Sequence, residues 1–204
     1  PRWNKKLAYA VGLITTDGSL SKDKRHIIFT STDYQLIKSF LTCLGKSNSI
    51  RKYRHGSIRR KPAYHTQISD VLLYRWLLKL GLTSNKSLTL SNLKIPNKYF
   101  ADFIRGHIDG DGSIITYIDR YNTKINSKYI YTRLFVYLIS ASKKHVIWLQ
   151  NKIIKFVHIK GSINFHSSIW TLKFSTKEAK ILLNWIYYED NLPKLERKFL
   201  IAKS

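Results

Sequence analysis

Apolar positions along the chain recur first with a helical period and then with a strand period, and this order is repeated. Residues 5–16 form a near-continuous apolar stretch with the small residues Ala8, Gly12 and Thr15 at helical spacing, which predicts a buried helix. Two short strands follow at 19–22 and 25–31, joined by a tight turn at Asp23-Lys24. Thr32-Asp33 caps an amphipathic helix over 33–45, with Leu36, Ile37, Phe40, Leu41 and Leu44 inward and Gly45 as its stop. Strands at 49–55 and 63–69 flank a long basic turn, and a second amphipathic helix over 70–80 ends at Gly81.

The same order then returns. A helix begins near Pro96, strands occupy 113–120 and 129–139, and Ser142 caps a helix running to 157. Strands at 159–166 and 169–175 precede a helix at 176–188, and 194–203 is helical. Gly12 and Gly106 are 94 residues apart, as are Asp17 and Asp111, whereas the caps Thr32 and Ser142 are 110 apart. The second copy therefore carries about 16 extra residues around 119–130, a loop-length difference on a repeated framework. The link at 83–96 is short and partly apolar, so it is expected to pack, dividing the chain into halves 1–92 and 93–204.

Strand alternation separates two faces. In 131–139, Leu134, Val136 and Leu138 oppose Tyr131, Arg133 and Tyr137; in 159–166, Ile159, Ile163 and Phe165 oppose Lys160, Ser162, Asn164 and His166. One face is core, and the other is polar, basic and aromatic. That face is either solvated or a reader of nucleic-acid grooves.

Charge favours the second. An apolar fraction of 44% over 204 residues supports a real core, yet 36 Lys and Arg against 12 Asp and Glu leave a net charge of +24. The excess is even, +13 in residues 1–92 and +11 in 93–204, so both halves face an anionic partner, and nucleic acid is the natural one. A membrane is disfavoured, because no apolar run approaches 18 residues and no lipidation signal is present. Ribosomal proteins are equally basic, though rarely with elements in so regular an order. Cys43, the only cysteine, excludes an intramolecular disulfide and a zinc finger and is expected to fill core space. With no secretory signal, the expected location is intracellular, in an organelle matrix or bacterial cytoplasm; with no Met, Pro1 is not the expected natural start.

Double-stranded DNA is accordingly the expected partner, and the strand faces and turns nominate its contacts. In the first hairpin these are Ser19, Ser21, Lys22, Lys24, Arg25, His26 and Thr30; in the second, Arg51, Tyr53, His55, Arg59, Arg60, Lys61, His65 and Gln67. In the third they are Ser113, Ile115, Tyr117, Asp119, Arg120, Lys124, Lys128, Tyr129, Tyr131, Arg133 and Tyr137; in the fourth, Lys160, Ser162, Asn164, His166, Thr171 and Lys173.

Asp17 and Asp111 carry the candidate chemistry. Each closes an apolar helix and precedes Gly-Ser, at the end of the helix where the dipole disfavours a carboxylate. Gly18 and Gly112 fit the left-handed residue that ends many helices, and one Asp-Gly alone would be turn chemistry. Two at matching positions demand more. If the helices bearing Gly12 and Gly106 pack side by side, the two carboxylates meet and repel unless divalent cations lie between them. Mg²⁺ retains waters and needs few protein oxygens, so two Asp and backbone carbonyls suffice, and such ions can activate water and stabilise a leaving oxygen on each DNA strand. Asp109-Gly-Asp-Gly-Ser imitates a calcium loop for five residues, but Ile114 and Arg120 stand where an EF-hand needs Gly and Glu. No phosphate-binding P-loop, His-Glu-x-x-His or nucleophile elbow is present.

The segments G12-L-I-T-T-D-G-S and G106-H-I-D-G-D-G-S resemble the two motifs of single-chain LAGLIDADG homing endonucleases, and the likeness runs from Lys6 to about Ala202. The resemblance implies an α+β fold of two pseudo-symmetric αββαββα halves, forming a saddle of two antiparallel sheets over DNA. It implies an Mg²⁺-dependent, monomeric endonuclease with two or three divalent cations, Mn²⁺ or Ca²⁺ substituting, that cuts an asymmetric site of roughly 20 bp and promotes intron or intein mobility. Asp17 and Asp111 would ligate metal, with carbonyls lent by Thr16 and Gly110. Lys86 and Lys198, with Arg197 as the alternative to the latter, would lie near the scissile phosphates, and Ser31 and Ser140 near a water-positioning site. The sequence departs from the pattern in having Thr15 where the second copy has Asp109, and His107 at a usually apolar position. An RNA splicing maturase or a non-cleaving DNA-binding protein on the same fold is the alternative.

Overall fold

The computed structural model describes residues 1–53, 62–126 and 128–203. Its first half runs α1 (Lys5–Thr16), β1 (Gly18–Leu20), β2 (His26–Ser31), α2 (Tyr34–Leu44), β3 (Arg51–Tyr53), β4 (Ala63–Ser69) and α3 (Val71–Leu80), followed by the short α4 (Lys86–Thr89). The second runs α5 (Phe100–Gly110), β5 (Ser113–Asp119), β6 (Tyr131–Ser140), α6 (Lys143–Val157), β7 (Ser162–His166), β8 (Ile169–Ser175), α7 (Thr176–Ile186) and α8 (Glu196–Lys203).

Local sequence sets the helix ends. Asn4, Asp33 and Asp70 accept backbone N–H bonds from Leu7, Gln35 and Leu73 at the starts of α1, α2 and α3, and left-handed Gly45 and Gly81 close the last two. The sheets are antiparallel with equivalent strand orders, β1-β2-β4-β3 and β5-β6-β8-β7. Ile27, Phe29 and Ile68 line the buried face of the first, and Ile114, Val136, Leu138, Leu172 and Phe174 that of the second. Between the sheets, α1 and α5 pack together along their lengths, and Leu7–Thr15 and Phe100–Asp109 are buried on every side.

Gly12 and Gly106 permit that packing. A Cβ on Gly12 would stand 2.3 Å from the Phe103 carbonyl oxygen, and one on Gly106 2.1 Å from that of Tyr9, so the two helices touch backbone to backbone.

Several expectations are corrected. Gly18 and Gly112 are not left-handed; φ is positive only at Gly45, Gly81 and Gly161 among the described glycines. Glycine is needed there for closeness instead: an added Cβ would meet Ile14 Cα at 2.6 Å at Gly18, and the Tyr137 carbonyl at 2.6 Å at Gly112. Pro96 precedes a 3₁₀ turn, Asn97–Tyr99, and the α-helix proper begins at Phe100. Ser142 stands at the N-cap of α6 without a capping bond, because its hydroxyl donates to the Leu90 carbonyl. The strand expected from 159 starts at Ser162, and Cys43 is only half-buried against the core. The link packs as expected, burying Leu90, Leu93 and Ile95, and the extra residues of the second copy form the long β5–β6 connection. Among the described residues no helix is long and apolar enough to cross a membrane.

Candidate metal centre and nucleic-acid interface

Asp17 and Asp111 occupy the same place in the two halves, each C-capping its central helix in a right-handed helical conformation. The close approach of α1 and α5 brings them together. Gly110 lies directly against the first motif, since a Cβ there would meet Thr16 Oγ1 at 2.0 Å and Asp17 Oδ2 at 3.0 Å. Burial, then the charge of Asp111, pushes the Asp17 carboxyl up to about 7. Burial also raises Asp111, against the pull of Lys86 and Lys198.

Those lysines are the second matched pair. Lys86 is 7% exposed and Lys198 4%. Lys86 Nζ donates to the Gly18 carbonyl and, at 3.4 Å, to that of Thr16. Lys198 Nζ donates to the carbonyls of Ile108 (2.6 Å), Gly112 (2.7 Å), Asp109 (3.0 Å) and Gly110 (3.4 Å). Each ammonium thus satisfies orphan carbonyls at the negative end of a central helix and lies beside the acids. Burial lowers both amines, Lys198 to about 8, while the surrounding carboxylates oppose the shift. Arg197 instead is exposed and pairs with Asp33 at 3.0 Å. Lys198→Met is expected to cost about 2 kcal/mol in urea denaturation, more than Lys86→Met, because it strands more buried carbonyls.

Asp109 stands apart from the acid pair. Its Oδ2 accepts from Tyr9 Oη and Leu195 N–H, both at 2.8 Å, and burial pushes it up to about 6. Thr15, its counterpart, only bonds back to the Val11 carbonyl. Asp109 therefore ties α5 to α1 and to the residues that launch α8 with Lys198. A buried pair, Asp102–Arg105 at 2.7 Å, adds bonds from Arg105 to the carbonyls of Ile186 and Pro193. His107 Nε2 lies 3.3 Å from His145 Nε2, whose ring donates through Nδ1 to the Ser91 carbonyl. Burial holds both rings below the usual histidine value, and the pair ties α5 to the link through the bond from His145 to Ser91. Charge and periodicity gave no signal for these buried polar contacts.

The acids are hard-oxygen donors, and the nearby carbonyls of Thr16 and Gly110 accept from Lys86 and Lys198, each at 3.4 Å. Among the described residues no group of three or more His, Cys, Asp or Glu is placed to hold a metal ion. A cavity of about 360 Å³ opens beside Asp111, lined also by Thr16, Lys86, His107 and Ser140. Ser31 and Ser140 are again equivalent, each hydroxyl accepting the N–H two residues on, at 3.1 Å.

Register assigns the face opposite the core. In the first sheet Ser19, Ile28 and Gln67 form one cross-strand row, Thr30, His65 and Arg51 another, and His26 lies opposite Ser69. In the second the same face carries Ser113, Ile115, Tyr117 and Asp119 from β5, Tyr131, Arg133 and Tyr137 from β6, Thr171 and Lys173 from β8, and Ser162, Asn164 and His166 from β7. Ile28, Ser69, Phe135, Ile139 and Ile169 share these faces but were not nominated; strand parity held the signal, and their type concealed it. Lys22, Lys24, Arg25, Arg120, Lys124, Lys128 and Tyr129 sit on connections, and Lys160 precedes β7. Ser21 and His26 are engaged by Asp23, and Arg133 by Asp119 at 2.9 Å. His55, Arg59, Arg60, Lys61 and the side chain of Tyr53 lie outside the described residues.

Residues 4–81 match the family model described as the LAGLIDADG-like domain. A component of the A-type ATP synthase of Methanopyrus kandleri is 25% identical over 114 residues, 56% of this chain and 11% of that protein. The chain therefore spans about a tenth of the length of that curated relative. Solved structures cover far more. Full-length DUF199/WhiA from Thermatoga maritima matches 100% of this chain and 62% of its own, with TM-score 0.61 at 16% identity. The homing endonuclease I-WcaI bound to its DNA recognition sequence matches with TM-score 0.66 at 14% identity, over 97% and 88% of the two chains. An I-DmoI variant in complex with its target DNA in the presence of Mn gives 0.56 at 13%, over 93% and 96%. At such identities the likeness is one of fold. The chain has the LAGLIDADG fold, residues 4–81 match the LAGLIDADG-like domain, and the overall architecture is similar both to homing endonucleases and to DUF199/WhiA.

Proposed function

We propose that this protein is a monomeric, site-specific endonuclease that makes a double-strand break in DNA by divalent-metal-dependent hydrolysis. Its target is an asymmetric site of roughly 20 bp, each half (1–92 and 93–204) covering about one helical turn, and the break promotes mobility of an intron or intein. The observation carrying this reading is the meeting of Asp17 and Asp111 at the foot of two glycine-packed helices, where burial, and then the charge of Asp111, pushes Asp17 up to about 7. Lys86 and Lys198 offset that cost only in part, since Asp17 stays raised beside them, and this leaves the pair suited to a divalent cation.

Asp17 and Asp111, with the carbonyls of Thr16 and Gly110, would hold Mg²⁺, which supplies an activated water and stabilises developing charge on the leaving oxygen. The protein's own residues do the rest. The sheets and the +24 charge align the duplex so that its scissile phosphates reach the helix ends. Lys86 and Lys198 place cationic heads beside those phosphates while holding the helix C-termini fixed.

The test is incubation with the intron-less version of the host locus and Mg²⁺. Cleavage of both strands within one short site is expected. Duplex binding should fall about 10³- to 10⁵-fold between 50 and 200 mM salt, as six to ten phosphate contacts dictate. Absence of cleavage alongside tight binding to the intron RNA would establish the splicing maturase instead, and salt-dependent duplex binding without cleavage a non-cleaving DNA-binding protein.

A further inference from the structure

We infer that the half-site under the second sheet is recognised through thymine methyl groups, by an apolar and aromatic platform on that sheet's groove face. The inference rests on the double-stranded DNA reading above and adds a class of target sequence to it. Ile115 lies directly opposite Phe135, and Tyr137 is flanked by Ser113 and Lys173. Directly paired residues share a face, which also carries Tyr117, Ile139 and Ile169.

The opposite face of the same strands is already the core, so Ile115, Phe135, Ile139 and Ile169 form an apolar patch within an otherwise polar, basic and aromatic face. A sheet face left to water would be polar, yet Ile115, Tyr117 and Ile169 remain 44%, 49% and 41% exposed. The rings form a ladder: Tyr117 stacks on Phe135 at 6.1 Å, and Phe135 lies 6.2 Å from Tyr137. Lys173 Nζ sits 4.3 Å over the Phe135 ring, so a cation stands within the patch and its occupant is an anion with apolar features. The first sheet differs. Among the described residues its matching rows hold Ser19, Gln67, Thr30, His65 and Arg51, with Ile28 as their single aliphatic side chain.

In the DNA major groove the thymine C5-methyl is the apolar feature; the other base edges present donors and acceptors. Isoleucine or phenylalanine against guanine or cytosine would bury those groups unpaired, whereas against thymine it buries a methyl. The second half-site is therefore rich in A·T pairs, and the first is mixed and read by hydrogen bonds.

The experiment selects bound duplexes from a library of about 24 randomised base pairs, using the full chain with Ca²⁺ in place of Mg²⁺. One half of the selected site should be T·A-rich, and Ile115→Asn or Phe135→Gln should relax the preference in that half alone. Selected duplexes are then remade with uracil for thymine in one half at a time. Each methyl removed from the T·A-rich half should weaken binding about three- to fivefold, with little change from uracil in the other half. A G·C-rich second half, or indifference to uracil in both halves, overturns the inference while leaving DNA binding intact. Salt-sensitive binding without sequence enrichment does the same. Concentration-dependent dimerisation abolished by Ile115→Asn would assign the face to a second copy, overturning it too. If no duplex is retained at low salt, the DNA reading itself fails and this inference with it.

Discussion

Asp17→Asn is expected to abolish strand scission, by at least about a hundredfold, while making the metal-free protein more stable. The loss follows from the shared centre. A neutral amide cannot replace the charge that would hold a divalent cation, and removing one preorganised stabiliser of a developing oxyanion costs about 10²- to 10³-fold elsewhere. Duplex binding measured in Ca²⁺ should change little, because phosphate contacts along the sheets dominate affinity. The stability gain follows from linkage. The folded-state value of Asp17 is about 7 against an ordinary 3.8, so the folded protein binds this proton more tightly than the unfolded chain. The associated stability is complete below pH 4 and is lost as pH rises through 7. Asparagine carries no such loss, so the variant should match its parent near pH 4 and exceed it above pH 7. After solvent screening the gain is about 1–2 kcal/mol, or about 2–8 °C in melting temperature for a chain of this size. Thermal melts in chelator at pH 5 and pH 8 measure it. Equal melting temperatures at pH 8, or a lower one for the variant, would show that the two carboxylates do not strain the fold, and retained cleavage would remove Asp17 from the centre. A variant that is inactive but more stable is the signature of a site built at the expense of the scaffold.

Gly106→Ala should lower stability by about 3 kcal/mol or more, the upper range for overpacking. The new methyl would lie 2.1 Å from the Tyr9 carbonyl oxygen and 3.2 Å from Gly12 Cα, both backbone atoms that no rotamer change can move. Relief requires α1 and α5 to separate, breaking contacts that bury both helices. A fall in melting temperature of about 6–12 °C is expected. Because the same separation parts Asp17 from Asp111, cleavage measured well below the melting temperature should fall too. Gly45→Ala is the control, since its Cβ would meet nothing within 4 Å. It should show only the cost of left-handed backbone, about 1 kcal/mol. Full cleavage by a well-folded Gly106→Ala variant would break the link between helix packing and the acid pair.

Much of the fold could be read along the chain because its signals are local. Asp33, Asp70, Gly45 and Gly81 punctuate helices through bonds to residues a turn away, and alternation from Leu134 to Leu138 marks a buried face without knowledge of its partner. The 94-residue echo of Gly12 and Asp17 in Gly106 and Asp111 displays the duplication and hence the candidate centre. Other features depend on what lies opposite. Gly18 and Gly112 look like left-handed stops in sequence, but the constraint is a carbonyl or helix backbone less than 3 Å from the missing methyl. The partners of Asp109 are Tyr9 and Leu195, 100 and 86 residues away, and nothing local distinguishes it from a metal ligand.

By itself, then, the sequence determined the duplicated element order, the basic character of both halves and the two carboxylates at helix ends, since each is written in spacing and charge. Tertiary structure alone decided that Lys86 and Lys198 reach the carbonyls behind those carboxylates, that Asp109 and His107 serve packing, and that Tyr117, Phe135 and Tyr137 meet in one ladder of rings. These follow from close approach of segments far apart in the chain, where backbone contact, desolvation and cross-strand register set each side chain's role.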